Sequence, residues 1–202
     1  MRRTMNPIQK FSTPCVILAG GKSSRMGKNK ALLPFGGCSS LAEYQYRRLQ
    51  EIFESVYIST KDSSIFEFEA EFIEDDSETS APGVAINTLF NELYAHEIFL
   101  ITVDAPFVSF KTIGEILERG KEGHEAILAK TPAKKHYLIG LYKESILPRL
   151  EELLEEKNYK LSALVESSET LFVDFLDEEE FSNLNTKEEY QAALAKLPSR
   201  VK

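Results

Sequence analysis

The sequence turns on one stretch, VILAGGKSSRMGKNKALLPF, residues Val16 to Phe35. An apolar run stops at two glycines. Four cations (Lys22, Arg25, Lys28, Lys30) follow within nine residues, and the chain then turns apolar again. Glycine lets the backbone approach a ligand closely and reach positive φ. The N–H groups of a turn that leads into a helix favour anions, and nearby cations reinforce that preference. Gly20, Gly21, Lys22, Ser23, Ser24, Arg25 and Lys30 therefore make a cradle suited to a polyphosphate. A plain surface turn with solvated lysines is the alternative. Two common phosphate motifs fail. Gly21-Lys22-Ser23 looks like the end of a P-loop, but that motif needs a glycine five positions before Gly21, where Val16 stands. The spacing from Gly20 does not give G-x-G-x-x-G either.

Outward from the loop, the pattern alternates strands and helices. TPCVILA (13–19) reads as a buried parallel strand ended by the glycines. Strands are also predicted at 55–60, 71–75, 97–104, 125–130, 137–142 and 171–176. The run at 97–104 is apolar on both faces, as a central strand should be. Helices are predicted at Leu41–Phe53, Val84–Tyr94, Thr112–Arg119, Ile146–Glu156 and Leu161–Val165. Thr186 followed by Glu189 has capping-box spacing and opens a last helix, Lys187–Leu197. The expected fold is α/β, a Rossmann-like three-layer sandwich with a mostly parallel central sheet. Residues 1–12 read as a frayed leader, and 13–202 as one domain. In such sheets ligands bind beyond the carboxyl ends of the strands. Three ends stand out: Ala19-Gly20-Gly21, Glu74-Asp75-Asp76 and Val103-Asp104-Ala105.

The 202 residues, 43% of them hydrophobic, suffice for one sizeable core. No apolar run approaches the roughly 20 residues of a membrane span, so a cytoplasmic protein with no membrane contact is expected. Cys15 and Cys38 form no metal-ligand motif, and without a secretory signal no disulfide is expected. The net charge of -8 argues against nucleic acid as a partner. Its distribution says more. Residues 1–42 hold seven Lys/Arg and no acid, while the remaining 160 carry 17 basic and 32 acidic side chains. Positive charge is concentrated around the glycine loop. Phe66, Phe68 and Phe72 alternate in a way that suits core or edge-strand packing.

Leu18-Ala19-Gly20-Gly21-Lys22-Ser23-Ser24-Arg25-Met26-Gly27-Lys28-Asn29-Lys30 resembles the small-molecule nucleotidyltransferase signature L-A-G-G-x-S-x-R-M-G-x-D-K. It is most similar to that of the MobA-type molybdenum cofactor guanylyltransferases. Asn29 stands where that family usually has Asp. Phe72-Ile73-Glu74-Asp75 resembles the family's guanine-side acidic element, and Val103-Asp104-Ala105-Pro106-Phe107 its metal-binding D-x-P-F/Y motif. Phe181-Ser182-Asn183-Leu184-Asn185-Thr186 resembles the late F-x-N-x-N-T-P motif, with Lys187 in place of Pro. The family's G-P-L-A-G turn is degenerate in Ala81-Pro82-Gly83-Val84-Ala85-Ile86. The resemblance runs from residue 14 to about 195.

The resemblance implies the nucleotidyltransferase fold and a reaction: GTP and molybdopterin cofactor give the guanine dinucleotide cofactor and pyrophosphate. A phosphate oxygen of the acceptor would attack the α-phosphorus in line. Two anions must meet, so neutralising and aligning them is most of the task, and a strong general base is not needed. Lys30 would place a compact charge on the phosphates, and Arg25 would grip the leaving pyrophosphate. Asp104, at a strand's carboxyl edge, would hold Mg²⁺, with Mn²⁺ as the alternative ion; a turn or N-cap aspartate is the competing account. These three are the expected catalytic residues. Leu18 and Ala19, through backbone groups, together with Gly20, Gly21, Ser23 and Ser59, would bind the nucleotide. Asp75 would accept from guanine N1–H and its amine, or be one solvated acid among several. Asn183 and Asn185 suit the acceptor, although Asn-x-Asn-Thr before a helix is also ordinary capping chemistry. By resemblance His136 lies near the acceptor; from its surroundings it reads as an exposed loop histidine. The expected partners are GTP and molybdopterin cofactor, with transient contact to a cofactor-synthesis or molybdoenzyme protein implied by the family. Two other readings stay open: a cytidylyltransferase or sugar-phosphate nucleotidyltransferase, and a nucleotide-binding module without catalysis.

Overall fold

The structure, a computed structural model, describes residues 9–20, 29–75, 79 and 81–197. Seven strands among these residues form one sheet: β1 (Cys15–Leu18), β2 (Val56–Thr60), β3 (Glu71–Glu74), β4 (Glu97–Thr102), β5 (Ala126–Lys130), β6 (Lys135–Lys143) and β7 (Thr170–Asp174). Their order is β3-β2-β1-β4-β6-β5-β7. Only β6 runs antiparallel, against both β4 and β5. The other pairs, from β3 through β4 and between β5 and β7, are parallel.

Side-chain alternation along β1 divides the core. Cys15, Ile17 and Ala19 enter one layer, and Val16 and Leu18 the other. The first layer is covered by α1 (Leu41–Leu49), α3 (Phe110–Arg119) and α6 (Lys187–Lys196), through residues such as Leu49, Ile113 and Ala193. The second is covered by α2 (Pro82–Leu93), α4 (Leu147–Glu155) and α5 (Leu161–Glu166), through Leu89, Leu150 and Leu164. This is the expected three-layer sandwich. On β4, Ile98 to Ile101 are fully buried on both faces. Each such side chain contributes about 1.5–3 kcal/mol of burial. Phe66, Phe68 and Phe72 form an aromatic cluster beside Tyr46, with the Phe66 and Phe72 rings stacked at 5.2 Å. They pack, as their alternation suggests.

Several boundaries differ from the sequence reading. Phe11, assigned to the leader, is docked: its N–H donates to the Ile52 carbonyl at 2.8 Å and its carbonyl accepts from Glu54 at 3.0 Å. Its ring sits 5.7 Å from that of Phe53. The packed fold therefore begins before Thr13. α1 stops at Leu49, because the apolar Ile52 and Phe53 are used by this bridge and not by a further helical turn. α2 begins at Pro82, two residues early; proline suits the first helical turn because it lacks an N–H there. β6 extends back to Lys135 and takes in His136. α6 opens on the predicted capping box of Thr186 and Glu189.

From β1 the chain steps outward to β2 and β3, and α2 then carries it back over the sheet to β4. The strand order thus reverses between β1 and β4. A crevice at such a reversal is where doubly wound sheets bind ligands. The ends of β1 and β4 place Gly20 and Asp104 there.

Candidate active site

Beyond the carboxyl ends of β1, β2, β3 and β4 lies a cavity of about 190 Å³. Leu18, Gly20, Ser59, Lys61, Asp75, Pro82 and Thr102 are among its walls. Gly20 is exposed, and a Cβ built on it meets no described atom within 4 Å. The Leu18 carbonyl accepts from Val103 at 3.1 Å, and the Ala19 N–H donates to the Ser59 carbonyl at 2.9 Å. These two backbone groups are thus engaged at the sheet edge. The Ala19 side chain faces the opposite layer; Leu18 presents its side chain to the cavity. Gly21, Ser23 and Arg25 lie outside the described residues.

Lys30 and Asp104, 74 positions apart, meet at 2.8 Å (Nζ to Oδ2). Lys30 also donates to Asn185 Oδ1 at 2.9 Å. The second Asp104 oxygen accepts from the Thr102 hydroxyl at 2.8 Å, and the Asp104 carbonyl accepts from the Leu184 N–H at 2.9 Å. Local chemistry explains each placement. Asn29 caps a short 3-10 turn, its Oδ1 accepting from Ala31 N–H at 3.0 Å, and that turn presents Lys30. An amide oxygen does this as well as a carboxylate, so the departure at Asn29 leaves the device intact. Asp104 sits where β4 turns off the sheet, and the Asn-Leu-Asn segment is strapped onto that turn through Leu184.

The turn after Asp104 is held from behind by α1. Gln45 Nε2 donates to the Ala105 carbonyl at 3.1 Å. The Arg48 guanidinium donates to the Pro106 carbonyl at 2.7 Å and to the Val108 carbonyl, and lies 5.2 Å from the centre of the Phe110 ring. Burial depresses the Arg48 pKa, so this is a desolvated charge tied to backbone oxygens. Nothing in the sequence signals this clamp, because its partners lie about 60 residues apart.

A second cavity, of about 430 Å³, lies on the other side of Asn185 and is lined by Phe107, Lys134, Phe181, Asn183, Asn185 and Lys196, among others. Thr102 faces the first cavity and Asn185 the second. The Lys30–Asp104 pair, bonded to both, stands between the two. Asn185 does not cap α6: Thr186 does, and the Asn185 side chain goes to Lys30. Asn183 Oδ1 is buried and has no hydrogen-bond partner among the described residues. His136 is not an exposed loop residue. It is buried on β6, its ring 4.6 Å from that of Phe181, with Nε2 3.3 Å from the Thr131 hydroxyl. Burial, with the Lys134 charge second, lowers its pKa from the usual 6.5 to about 4. It packs as a neutral ring against Phe181, which lines the second cavity.

Asp75 is buried, not one solvated acid among several, and pairs with Lys61 at 2.9 Å on the far side of the first cavity. Ser59 is buried beside them in the same wall. Among the described residues no group of three or more His, Cys, Asp or Glu could hold a metal ion. Asp104 is a single carboxylate. That suits a hard ion such as Mg²⁺, which keeps waters and substrate phosphates as its remaining ligands.

The MobA-like NTP transferase domain family matches residues 15–171. A molybdenum cofactor guanylyltransferase of Helicobacter pylori strain P12 is 43% identical over 193 residues, covering 93% of this chain and 94% of that protein. One of Campylobacter jejuni strain RM1221 is 35% identical over 185 residues, covering 91% and 96%. Among solved structures, molybdopterin-guanine dinucleotide biosynthesis protein A of Archaeoglobus fulgidus superposes with a TM-score of 0.77 at 20% identity, covering 91% of this chain and 97% of that one, a likeness of fold. No helix among the described residues is long and apolar enough to cross a membrane.

Proposed function

Since the chain belongs to the MobA-like NTP transferase family, we propose that it is a molybdenum cofactor guanylyltransferase that transfers GMP from GTP to molybdopterin cofactor, releasing pyrophosphate. The observation that carries this reading is the Lys30–Asp104–Asn185 cluster standing between two cavities. A donor nucleotide in the first cavity and a phosphate-bearing acceptor in the second would meet at that cluster. The names of the relatives support guanylyl over cytidylyl transfer.

The donor's base would lie against Asp75, with Ser59 and the Leu18 side chain along its path, and its phosphates would reach Lys30. Asp104 would hold a Mg²⁺ ion, which would supply neutralisation of the phosphate charge. Lys30, passed from Asp104 to the α-phosphate, would stabilise the charge that develops as the acceptor oxygen attacks in line. Arg25 is assigned to the leaving pyrophosphate. Asn185 and Asn183 would orient the acceptor over Phe181, with His136 packed against that ring. The bond formed joins the acceptor phosphate oxygen to the α-phosphorus, and the bond broken frees pyrophosphate. The acceptor monoester is largely ionised near pH 7, so no protein base is required.

The test is transfer of label from α-³²P GTP to molybdopterin cofactor. Labelled dinucleotide that forms only with acceptor and Mg²⁺ present supports the reading. Label that stays in GTP, or that moves equally well from CTP, overturns it.

A further inference from the structure

We propose that Lys61 reads guanine O6, and that Lys61 and Asp75 together set the base specificity of the first cavity; this rests on the nucleotide reading above. The strand register creates the pair. Thr60 of β2 stands opposite Glu74 of β3, so the next residues, Lys61 and Asp75, leave the sheet edge side by side. The Asp75 N–H donates to the Thr60 carbonyl at 2.9 Å, which continues the ladder to that point. The ammonium and carboxylate then meet at 2.9 Å in the wall of the cavity, to which Leu18, Pro82, Ala85 and Leu138 add apolar surface and Ser59 and Thr102 polar surface. The Asp75 side chain is 9% exposed and that of Lys61 36%, and both line the cavity, the acid more enclosed than the lysine.

Lysine only donates and a carboxylate only accepts. Guanine presents an acceptor, O6, beside two donors, N1–H and the 2-amine. Lys61 beside Asp75 is the complement of that edge. Asp75 alone discriminates poorly, because one carboxylate oxygen accepts equally from the amine of adenine or cytosine. Lys61 removes that ambiguity. It would face the N6 amine of adenine or the N4 amine of cytosine, donor against donor, while the ring nitrogen beside that amine faces Asp75, acceptor against acceptor. Uracil matches the first two positions but turns its O2 against the carboxylate. Unpaired polar groups in a partly desolvated pocket are the strongest form of rejection available to a site.

The experiment measures kcat/KM and calorimetric Kd for GTP, ITP and 6-thio-GTP with wild-type protein, Lys61→Met and Lys61→Arg. ITP keeps O6 and lacks the 2-amine; 6-thio-GTP keeps the amine and replaces O6 by sulfur, a poor acceptor. Lys61→Met should weaken GTP and ITP about 10- to 100-fold, the range for a hydrogen bond from a charged group, and 6-thio-GTP less than about 3-fold. Lys61→Arg should restore much of the loss, and Lys61→Met should narrow the preference for GTP over ATP. An equal loss for all three nucleotides, or none for GTP, overturns the assignment. Because Kd reads the same ratios without turnover, guanine-selective binding with no transfer would break the functional reading and leave this one standing.

Discussion

Lys30 Nζ lies 2.8 Å from Asp104 Oδ2, bringing the end of the glycine loop onto the carboxyl edge of the central strand. The two residues are 74 positions apart in sequence and are bonded to each other. The pair is largely shielded, with side chains 18% and 12% exposed, and Asn185 and Thr102 each bond one partner. In the proposed transfer the cation would meet the phosphates and the anion would hold the metal ion that neutralises them.

Removing either charge should therefore abolish most turnover without unfolding the protein. Asp104→Asn and Lys30→Ala should each lower kcat about 100-fold or more, the scale of losing one preorganised charge-stabilising group. Pyrophosphate release under saturating GTP measures this, with thermal unfolding as the control. Wild-type turnover in either variant would remove that residue from the chemistry.

Asn185 offers a finer test. Its backbone N–H and that of Thr186 are both held by Glu189, so Asn185→Ala should leave α6 capped. Its side chain serves Lys30. We expect kcat to fall about 10-fold, the scale of one hydrogen bond to a charged group, with little change in unfolding temperature. Glu189→Ala should do the reverse: it costs about 1 kcal/mol through the lost cap, roughly 2–4 °C for a chain of this size.

Arg48 should behave as a positioning residue. Arg48→Met keeps length and apolar contact but leaves the Pro106 and Val108 carbonyls without their donor. The expected cost is about 2 kcal/mol, or roughly 4–8 °C in unfolding temperature. The loosened turn carries Asp104, so kcat should fall more than KM rises. Unchanged stability and kinetics would show that the clamp does not set the turn.

His136 predicts a pH dependence. Its folded pKa, about 4, lies below the unfolded 6.5, so the unfolded chain binds the extra proton first. Its contribution is full above pH 6.5 and is lost as pH falls from 6.5 toward 4. The loss is on the order of 1–3 kcal/mol. Urea midpoints at pH 7 and pH 4.5 for wild type and His136→Gln check this; the variant should lose less stability on acidification than wild type. Parallel losses would contradict the assignment.

The fold was legible because its signals are local. Period and composition marked the strands, Thr186 and Glu189 marked the start of α6, and the doubly apolar run marked β4 as central. The candidate cluster was legible in its members, Lys30, Asp104 and Asn185, through the motif resemblance. Misreadings arose where long-range contact overrides local character. Phe11 looked like a frayed leader because its partner, Phe53, is 42 residues away. His136 looked exposed among Lys134 and Lys135 because Phe181, which covers it, is 45 residues away. Lys61 had no sequence signal, since its meaning depends on the β2–β3 register.

The most direct test of the account is a crystal structure of the protein with Mg²⁺ and the α,β-methylene analogue of GTP, which resists transfer. The account predicts guanine against Asp75, the α-phosphate within hydrogen-bond reach of Lys30, and the metal on Asp104. A base seated in the cavity of Phe107, Asn183 and Lys196, or a triphosphate that leaves Lys30 and Asp104 untouched, would contradict it.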